Sequence, residues 1–387
     1  MDEITREEQF MAAAGGKAVD LPTPITREEM YLAKAAGLNV TIPEPITRRE
    51  KFLSKISANS GGGDTGWDYA PIYNTNYIDV GQYAFAANPY IKTVNIQYGR
   101  KVDEAAFMYC ENLESVYINV GGTSARFGIA DNAFFGCTAF KEVELHGVGS
   151  IDARAFSSNT NLETVVLKGG KDTTGIENPI FIIGESAFYG CAALRKIHRE
   201  SAGLLCEKIK NDAFALCESL EEIRLADCRE LEARAFLRCT SLDYVRIKPP
   251  RYTNGVYETT SIGESAFEGC TSLTTVDLIS ADSIGDSAFY GCTNLSTLIL
   301  RNTDAVCQLI VTAVLGTKIV TMEGAPTGEG FIYVPSALYE GYVTLIAQQT
   351  AMLLMSQGMG EAEAQVTADY IARAVLRKIE DYPEICG

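Results

Sequence analysis

Histidine and tryptophan are nearly absent: the 387 residues hold two histidines and one tryptophan. His146 and His198 stand 52 residues apart, which gives a Ser-His-Asp or Cys-His device little to be built from. No P-loop, HExxH or GxSxG motif occurs. The eleven cysteines form no CxxC and no Cys/His cluster at metal-ligand spacing. No catalysis, cofactor or metal centre is therefore expected. Basic residues are also scarce. With 33 lysines and arginines against 50 aspartates and glutamates, the formal net charge is −17, which repels nucleic acid phosphates and anionic lipid surfaces alike. No run of 18 apolar residues exists, so no membrane-inserted helix is expected.

What the chain does have is repetition. Ala-Phe recurs in register nine times, at Phe85, Phe107, Phe134, Phe156, Phe188, Phe214, Phe236, Phe267 and Phe289. Four of the eight intervals are 22 residues and the others are 26 to 32. Five residues before each Phe stands an aliphatic, from Val80 to Ile284; six and nine after it stand apolar residues throughout. Three after it stands Cys seven times and Asn twice, at Asn88 and Asn159. Eleven after it stands an aliphatic in every unit but one, where Arg199 breaks the column.

One such coil cannot bury its own apolar face, whereas stacked coils bury a continuous core. Apolar residues at +9 and +11 flanking an outward residue at +10 have strand periodicity. The copies should align as a parallel sheet, with the Ala-Phe segment forming a turn or single helical turn on the opposite wall. The cysteines are expected as buried structural thiols. A ladder of equivalent thiols has no obvious disulfide pairing, and each can act as a small hydrophobe with a weak donor.

At these residues the chain resembles the BspA-like leucine-rich repeats, through units such as IIGESAFYGCAALRKI and SIGDSAFYGCTNLSTLIL, over residues 76–335. The closing GFIYVPSALYEGY fits the end of such an array. The resemblance implies a right-handed leucine-rich-repeat solenoid used in adhesion and in protein or glycan recognition. It brings no catalytic residues.

Residues 1–58 carry a second repeat. Ile4, Ile25 and Ile46 each open an ITR unit with a capping box, Thr5 with Glu8, Thr26 with Glu29 and Thr47 with Glu50. A short helix and a Leu-Pro or Ile-Pro stretch follow. Helices this short need a partner surface, so the segment reads either as a loose linker or as a docking or assembly piece. Residues 59–75 read as a flexible hinge. The ITR units resemble segments of phage and prophage structural proteins. Together with an N-terminus that lacks a basic region and an apolar region, they point to a virion-associated or cytoplasmic life. A cell-surface life stays open if a leader has been trimmed.

Residues 336–387 read as a helical cap or oligomerisation segment, with helices over 336–357 and 361–380. The second shows an apolar stripe of Val366, Tyr370, Ile371, Ala374, Val375 and Ile379.

Binding surfaces are legible in two places. Outward strand positions gather Tyr117, Arg195, Lys196, His198, Arg224, Tyr244 and Arg246, whose later members form a basic and aromatic stripe on an acidic chain. All the insertions fall between the +11 column and the next aliphatic, so they should project from one edge. That at 248–261 carries Arg251, Tyr252 and Tyr257, residue types favoured at hot spots. The expected partner is a protein or glycan; homo-oligomerisation through the terminal helices is the other association the sequence allows.

Overall fold

The computed structural model describes residues 72–76, 80–97, 101–119, 127–168, 180–198, 204–249, 258–309 and 311–386. The expected N-terminal repeats and most of the hinge lie outside these residues, as do the greater parts of the insertions. A ladder strand already stands at Ile72–Asn76, within the stretch read as the end of the hinge.

The chain winds into a solenoid with two walls of parallel strands, β1 to β21 in chain order. The front wall begins with β1 (Ile72–Asn76), β2 (Thr93–Gln97), β4 (Ser115–Asn119), β6 (Glu142–His146), β8 (Thr164–Lys168) and β10 (Lys196–His198). It resumes with β12 (Glu222–Ala226), β14 (Tyr244–Lys248), β16 (Thr275–Leu278), β18 (Thr297–Leu300), β20 (Phe331–Val334) and β21 (Leu376–Lys378). The back wall runs β3 (Lys101–Val102), β5 (Phe127–Ile129), β7 (Val148–Ile151), β9 (Ile180–Ile183), β11 (Leu204–Ile209), β13 (Glu230–Leu231), β15 (Thr260–Ile262), β17 (Ala281–Ile284) and β19 (Gln308–Leu309). The aliphatic residue five before each Phe lies in this second ladder. Two or three paired residues per strand leave too short a pattern for the sequence alone to reveal a strand there.

Register follows the columns. Val94 pairs with Val116, Val116 with Val143 and Val143 with Val165. Ile223, Val245, Val276 and Leu298 continue the same row. The phenylalanines stack as expected, with ring centroids 5.1–5.5 Å apart and planes within 9° of parallel from Phe85 to Phe289. Phe156 and Phe188 are 32 residues apart in the chain and still 5.3 Å apart in space, so an insertion leaves the core geometry intact.

The Ala-Phe segment is a turn rather than a helix. Its N–H groups alternate between the same coil and the next. Ala106 N–H donates to Asp103 and Met108 N–H to Ala105, while Ala105, Phe107 and Tyr109 donate to Asp131, Ala133 and Phe135 of the following coil. This alternation puts residues on both sides of the Phe into the left-handed region, among them Leu216 (φ 61°) and Arg238 (φ 55°). The cost of that conformation in ordinary residues is tolerated because every second bond ties two coils together.

The thiols complete the turn. Cys217 Sγ donates to the Phe188 carbonyl at 3.2 Å, and Cys110, Cys137, Cys191, Cys239, Cys270 and Cys292 each make the same bond to the preceding Phe, at 3.0–3.2 Å. Asn159 substitutes with its amide, donating to Phe134 O at 3.1 Å and Phe156 O at 2.8 Å. In the first coil the Asn88 carboxamide instead accepts the Tyr90 and Ile91 amides. The column therefore selects a small side chain that can donate one hydrogen bond across coils.

Coils approach most closely at some glycines. A Cβ on Gly263 would lie 2.6 Å from both Ala233 N and Glu232 C, inside any allowed contact. Gly263→Ala is expected to push two coils apart and destabilise by about 1–3 kcal/mol. Urea unfolding of the variant checks this; an unchanged midpoint would show that the coils can slide past the clash.

At the C-terminal end, α1 (Tyr339–Ser356) and α2 (Glu361–Val375) pack on each other and cover the last coil. Ile346, Ile371 and Val375 meet Leu309, Ile319, Val320 and Ile332 around a cavity of only about 10 Å³. The expected second helix to residue 380 stops at Val375. Leu376–Lys378 turns extended and pairs with β20, Ile332 with Leu376 and Tyr333 with Arg377. An open strand edge is a template for aggregation, and this added strand covers it while Leu376 continues the inward column. The expected apolar stripe also divides. α2 buries Ala364, Ala368, Ile371, Ala372 and Val375, whereas Val366 and Tyr370 are 74% and 69% exposed. Small alanines let the helix approach the cap closely, and that turns the two larger side chains outward.

Candidate binding surface

Little on the described surface resembles a reaction centre. Among the described residues no group of three or more His, Cys, Asp and Glu is placed to hold a metal ion. No described helix is long and apolar enough to cross a membrane. His146 is occupied on the front wall, 2.6 Å from Glu144 Oε1 and edge-on to the Tyr117 ring. The cysteines from Cys110 to Cys307 are free thiols and buried. Burial pushes Cys191, Cys228 and Cys307 up to about 12, which withholds the reactive thiolate.

The expected binding residues do not all come together. Arg195, Lys196, Arg224 and Tyr244 come together around one cleft of about 650 Å³. Arg246 stands in the same row as Arg224, with which it pairs in the strand register, but outside the cleft lining; it sits 3.5 Å from Asp277, a nearly buried carboxylate that also accepts Arg301 Nε at 2.7 Å. Tyr117 stands apart on β4, half-buried, its hydroxyl accepting Asn119 Nδ2 at 3.3 Å. The backbone of His198, in β10, pairs with Val166 of β8, while Arg251, Tyr252 and Tyr257 lie outside the described residues.

The cleft differs from the stripe in its charge. Glu221, Glu222 and Asp243 line it beside the three cations. Arg195 is 3.7 Å from Glu221. The Arg224 guanidinium donates to Glu222, which raises its already high pKa, and sits 5.3 Å from the centroid of the Tyr244 ring. Glu221 and Asp243 hold in their coils the +7 position that Arg195 holds in its own, and Glu222 holds the +8 position of Lys196 and Tyr244, so naming only the basic and aromatic members of these rows overstated the positive character of the stripe. The cleft is close to neutral, with paired donors and acceptors around one aromatic ring.

Its origin is the one broken column. The front wall is interrupted between β10 and β12: no pairing joins Lys196–His198 to Glu222–Arg224. In every other coil of the front wall an aliphatic at +11 holds the strand down. In the sequence that position is Arg199, which lies outside the described residues; Leu204 is buried and pairs with Leu225. β11 thus serves both walls, through Leu204–Leu225 in front and through Cys206–Ile180 and Ile209–Leu231 behind. Ile197 is only partly buried, unlike the other +9 residues, which are fully buried. Sequence reasoning missed Ile197 and Leu204 as surface-forming residues; the single arginine in an aliphatic column was the signal.

Among solved structures, a leucine rich cell surface protein from Faecalibacterium prausnitzii A2-165 matches at 20% identity over 60% of this chain and 69% of its own, with a TM-score of 0.39. A leucine-rich repeat protein from Eubacterium ventriosum matches at 14% identity over 66% and 92%, TM-score 0.26, and a leucine rich repeat protein from T. pallidum at 17% over 67% and 90%, TM-score 0.23. No functionally curated protein matches. The BspA type leucine rich repeat region is matched in six copies, over residues 72–181, 171–258 and 255–307. With well over half of its length so matched, the chain belongs to the BspA-type leucine-rich repeat family.

Proposed function

We propose that this protein is a non-catalytic binding module that recognises a protein or glycan with its front wall, centred on the cleft at residues 195–244. The observation that carries the reading is the cleft itself. It interrupts an otherwise continuous sheet, and it gathers an aromatic ring, guanidinium groups and carboxylates, a mixture suited to oriented hydrogen bonding. The repeat family supports a recognition role, and solenoids in general offer extended surfaces for it.

Two settings fit. A host-recognition or decoration role on a phage or prophage particle is favoured by the ITR units of residues 1–58. A bacterial surface adhesin or interaction scaffold with no viral role is favoured by the repeat family alone. In either, exposed Val366 and Tyr370, one turn apart on α2, support self-association through the terminal helices.

The test uses the full chain against arrays of glycans and of purified bacterial and host surface proteins. A ligand of this face is expected to bind at least tenfold more weakly to the Arg224→Glu, Arg246→Glu double variant. Each lost charge-assisted bond removes roughly 1.5–3 kcal/mol. Undiminished binding by that variant would reject the face.

A further inference from the structure

From β12 onward the front wall is continuous, and its outward row runs Arg224, Arg246, Asp277, Ile299 and Tyr333. Ile379 and Tyr382 of the C-terminal segment pack against Ile299 and Tyr333. Asp277 stands at an outward position and is nevertheless 3% exposed. Two guanidiniums flank it. Arg301, at the end of β18, brings Nε to Oδ1 at 2.7 Å and Nη2 to Oδ2 at 3.4 Å. Arg246, on β14, brings Nε to 3.5 Å from Oδ2. One guanidinium neutralises a carboxylate; two leave a positive charge over. Among the described residues no second carboxylate pairs with either arginine, and the adjoining insertion 249–257 contains no acidic residue. Arg246 also stands directly across the register from Arg224, and like charges at paired positions weaken a sheet. Arg224 has Glu222 for itself, whereas Arg246 has only its share of Asp277. A chain of net charge −17 thus sets scarce cations side by side on this face.

We propose that Arg246 and Arg301 form a pre-set site for the carboxylate of an acidic saccharide, a uronate unit of a polysaccharide. The inference rests on the front wall being the binding face and names the chemistry that face takes. Asp277 holds the Nε side of each guanidinium, which fixes both side chains before a ligand arrives. Arginines immobilised in advance lose less freedom on binding. The Arg246 and Arg301 side chains are 45% and 25% exposed, so each keeps part of its fork toward solvent. A planar guanidinium matches a carboxylate through paired N–H···O bonds. The saccharide follows from what lies beside the pair. Tyr244, Thr275 and Thr297 are paired in register on β14, β16 and β18, two residues before the arginine row. That is one same-face step, about 6.6 Å. Their hydroxyls both donate and accept, as a sugar's hydroxyls do. A peptide would gain less, because β14, β16 and β18 are each hydrogen-bonded on both sides and offer no strand edge to its main chain.

The test is calorimetric titration of the full chain with polygalacturonate at low salt, with dextran as the neutral saccharide and poly-L-glutamate as the acidic peptide. The full chain is expected to bind polygalacturonate, to bind it more weakly as salt rises, and to ignore dextran. Arg246→Lys and Arg301→Lys keep every charge and lose the planar fork, so each should weaken binding about tenfold. Asp277→Asn separates a built site from diffuse attraction. It makes the face more positive, which by charge alone would tighten binding; loss of the pre-set arginines should instead weaken it about tenfold. Lys92→Gln removes a charge on the first coils, paired there with Glu114, and should leave binding unchanged. Should Asp277→Asn fold poorly, Arg246→Lys at its half-exposed site decides the matter. The proposal is overturned if polygalacturonate does not bind, if the lysine variants bind it as well as the unaltered chain, or if Asp277→Asn binds it more tightly. Equal binding of poly-L-glutamate would overturn the saccharide. A different ligand, lost in the Arg224→Glu, Arg246→Glu double variant yet indifferent to Arg301→Lys and Asp277→Asn, would leave the binding face standing and remove this site.

Discussion

Raising the pH beyond about 9 unfolds this protein in one steep transition, with a midpoint expected near pH 10. The cause is the buried thiols, those of the column together with Cys206, Cys228 and Cys307 off it. Burial raises the pKa of Cys191, Cys206, Cys217, Cys228, Cys239, Cys270, Cys292 and Cys307 above the ordinary thiol value near 9, to about 12 for Cys191, Cys228 and Cys307. Below pH 9 both folded and unfolded chains hold these protons, and the thiols contribute no pH dependence. Above it the unfolded chain releases them while the folded chain retains them. The folded state then binds more protons, so stability falls as pH rises, over a window that runs from about 9 to about 12. Each thiol withdraws about 1 kcal/mol per pH unit, and eight together roughly 10 kcal/mol. A domain's whole stability is of order 5–15 kcal/mol. One pH unit of this slope is therefore enough. Far-ultraviolet circular dichroism and thiolate absorbance recorded through the same titration should change together, because the thiolates form only when the coils open. Thiolates that appear near pH 9 with the ellipticity intact would refute the mechanism. Replacing two column members, as in Cys239→Ala with Cys270→Ala, should make the slope shallower.

The same column shows what was legible in the chain. Nine phenylalanines in register, seven thiols three residues after them and the +9 and +11 aliphatics specify stacked coils, because each column makes sense only as a pile. That much requires no three-dimensional information. The turn geometry was hidden, since its left-handed residues include Leu216 and Arg238 as well as glycines, and only the inter-coil bonds explain them. The back wall was hidden because its strands are two to six residues long. The strand Leu376–Lys378 was hidden because a helical stripe runs into it without a break. Of the candidate surface, Arg195, Lys196, Arg224 and Tyr244 could be picked from their rows, and so could the carboxylates Glu221, Glu222 and Asp243; what was hidden is that Glu221 and Glu222 pair with Arg195 and Arg224. Charge balance in a solenoid is set by neighbouring coils some 22 residues away, and a linear reading counts neighbours along one coil only.

The opening that makes the cleft also makes a weak joint, and Phe214→Ala tests it. Phe214 is fully buried, stacked 5.1 Å from Phe188 and 5.1 Å from Phe236. Truncation removes a core phenylalanine, which costs about 3–5 kcal/mol, and breaks a ring stack on both sides. At most coils the front ladder, back ladder, ring stack and thiol bond all join neighbours. Between the coils of Phe188 and Phe214 the front ladder is reduced to Leu204 and Leu205 against Leu225 and Ala226. The ring stack, the Cys217 bond to Phe188 and the β9–β11 pairing carry the rest. Stability in such an array is a sum of coil terms and nearest-neighbour interfaces. Weakening an ordinary interface lowers the whole transition; weakening the poorest one uncouples the two halves. Urea unfolding of Phe214→Ala is therefore expected to split into two transitions. Phe134→Ala, equally buried and between intact ladders, should lose a similar amount and still unfold in one. If both variants unfold in a single step with the same loss, the coils on either side of the cleft are coupled as tightly as the rest, and the interruption is not a mechanical joint.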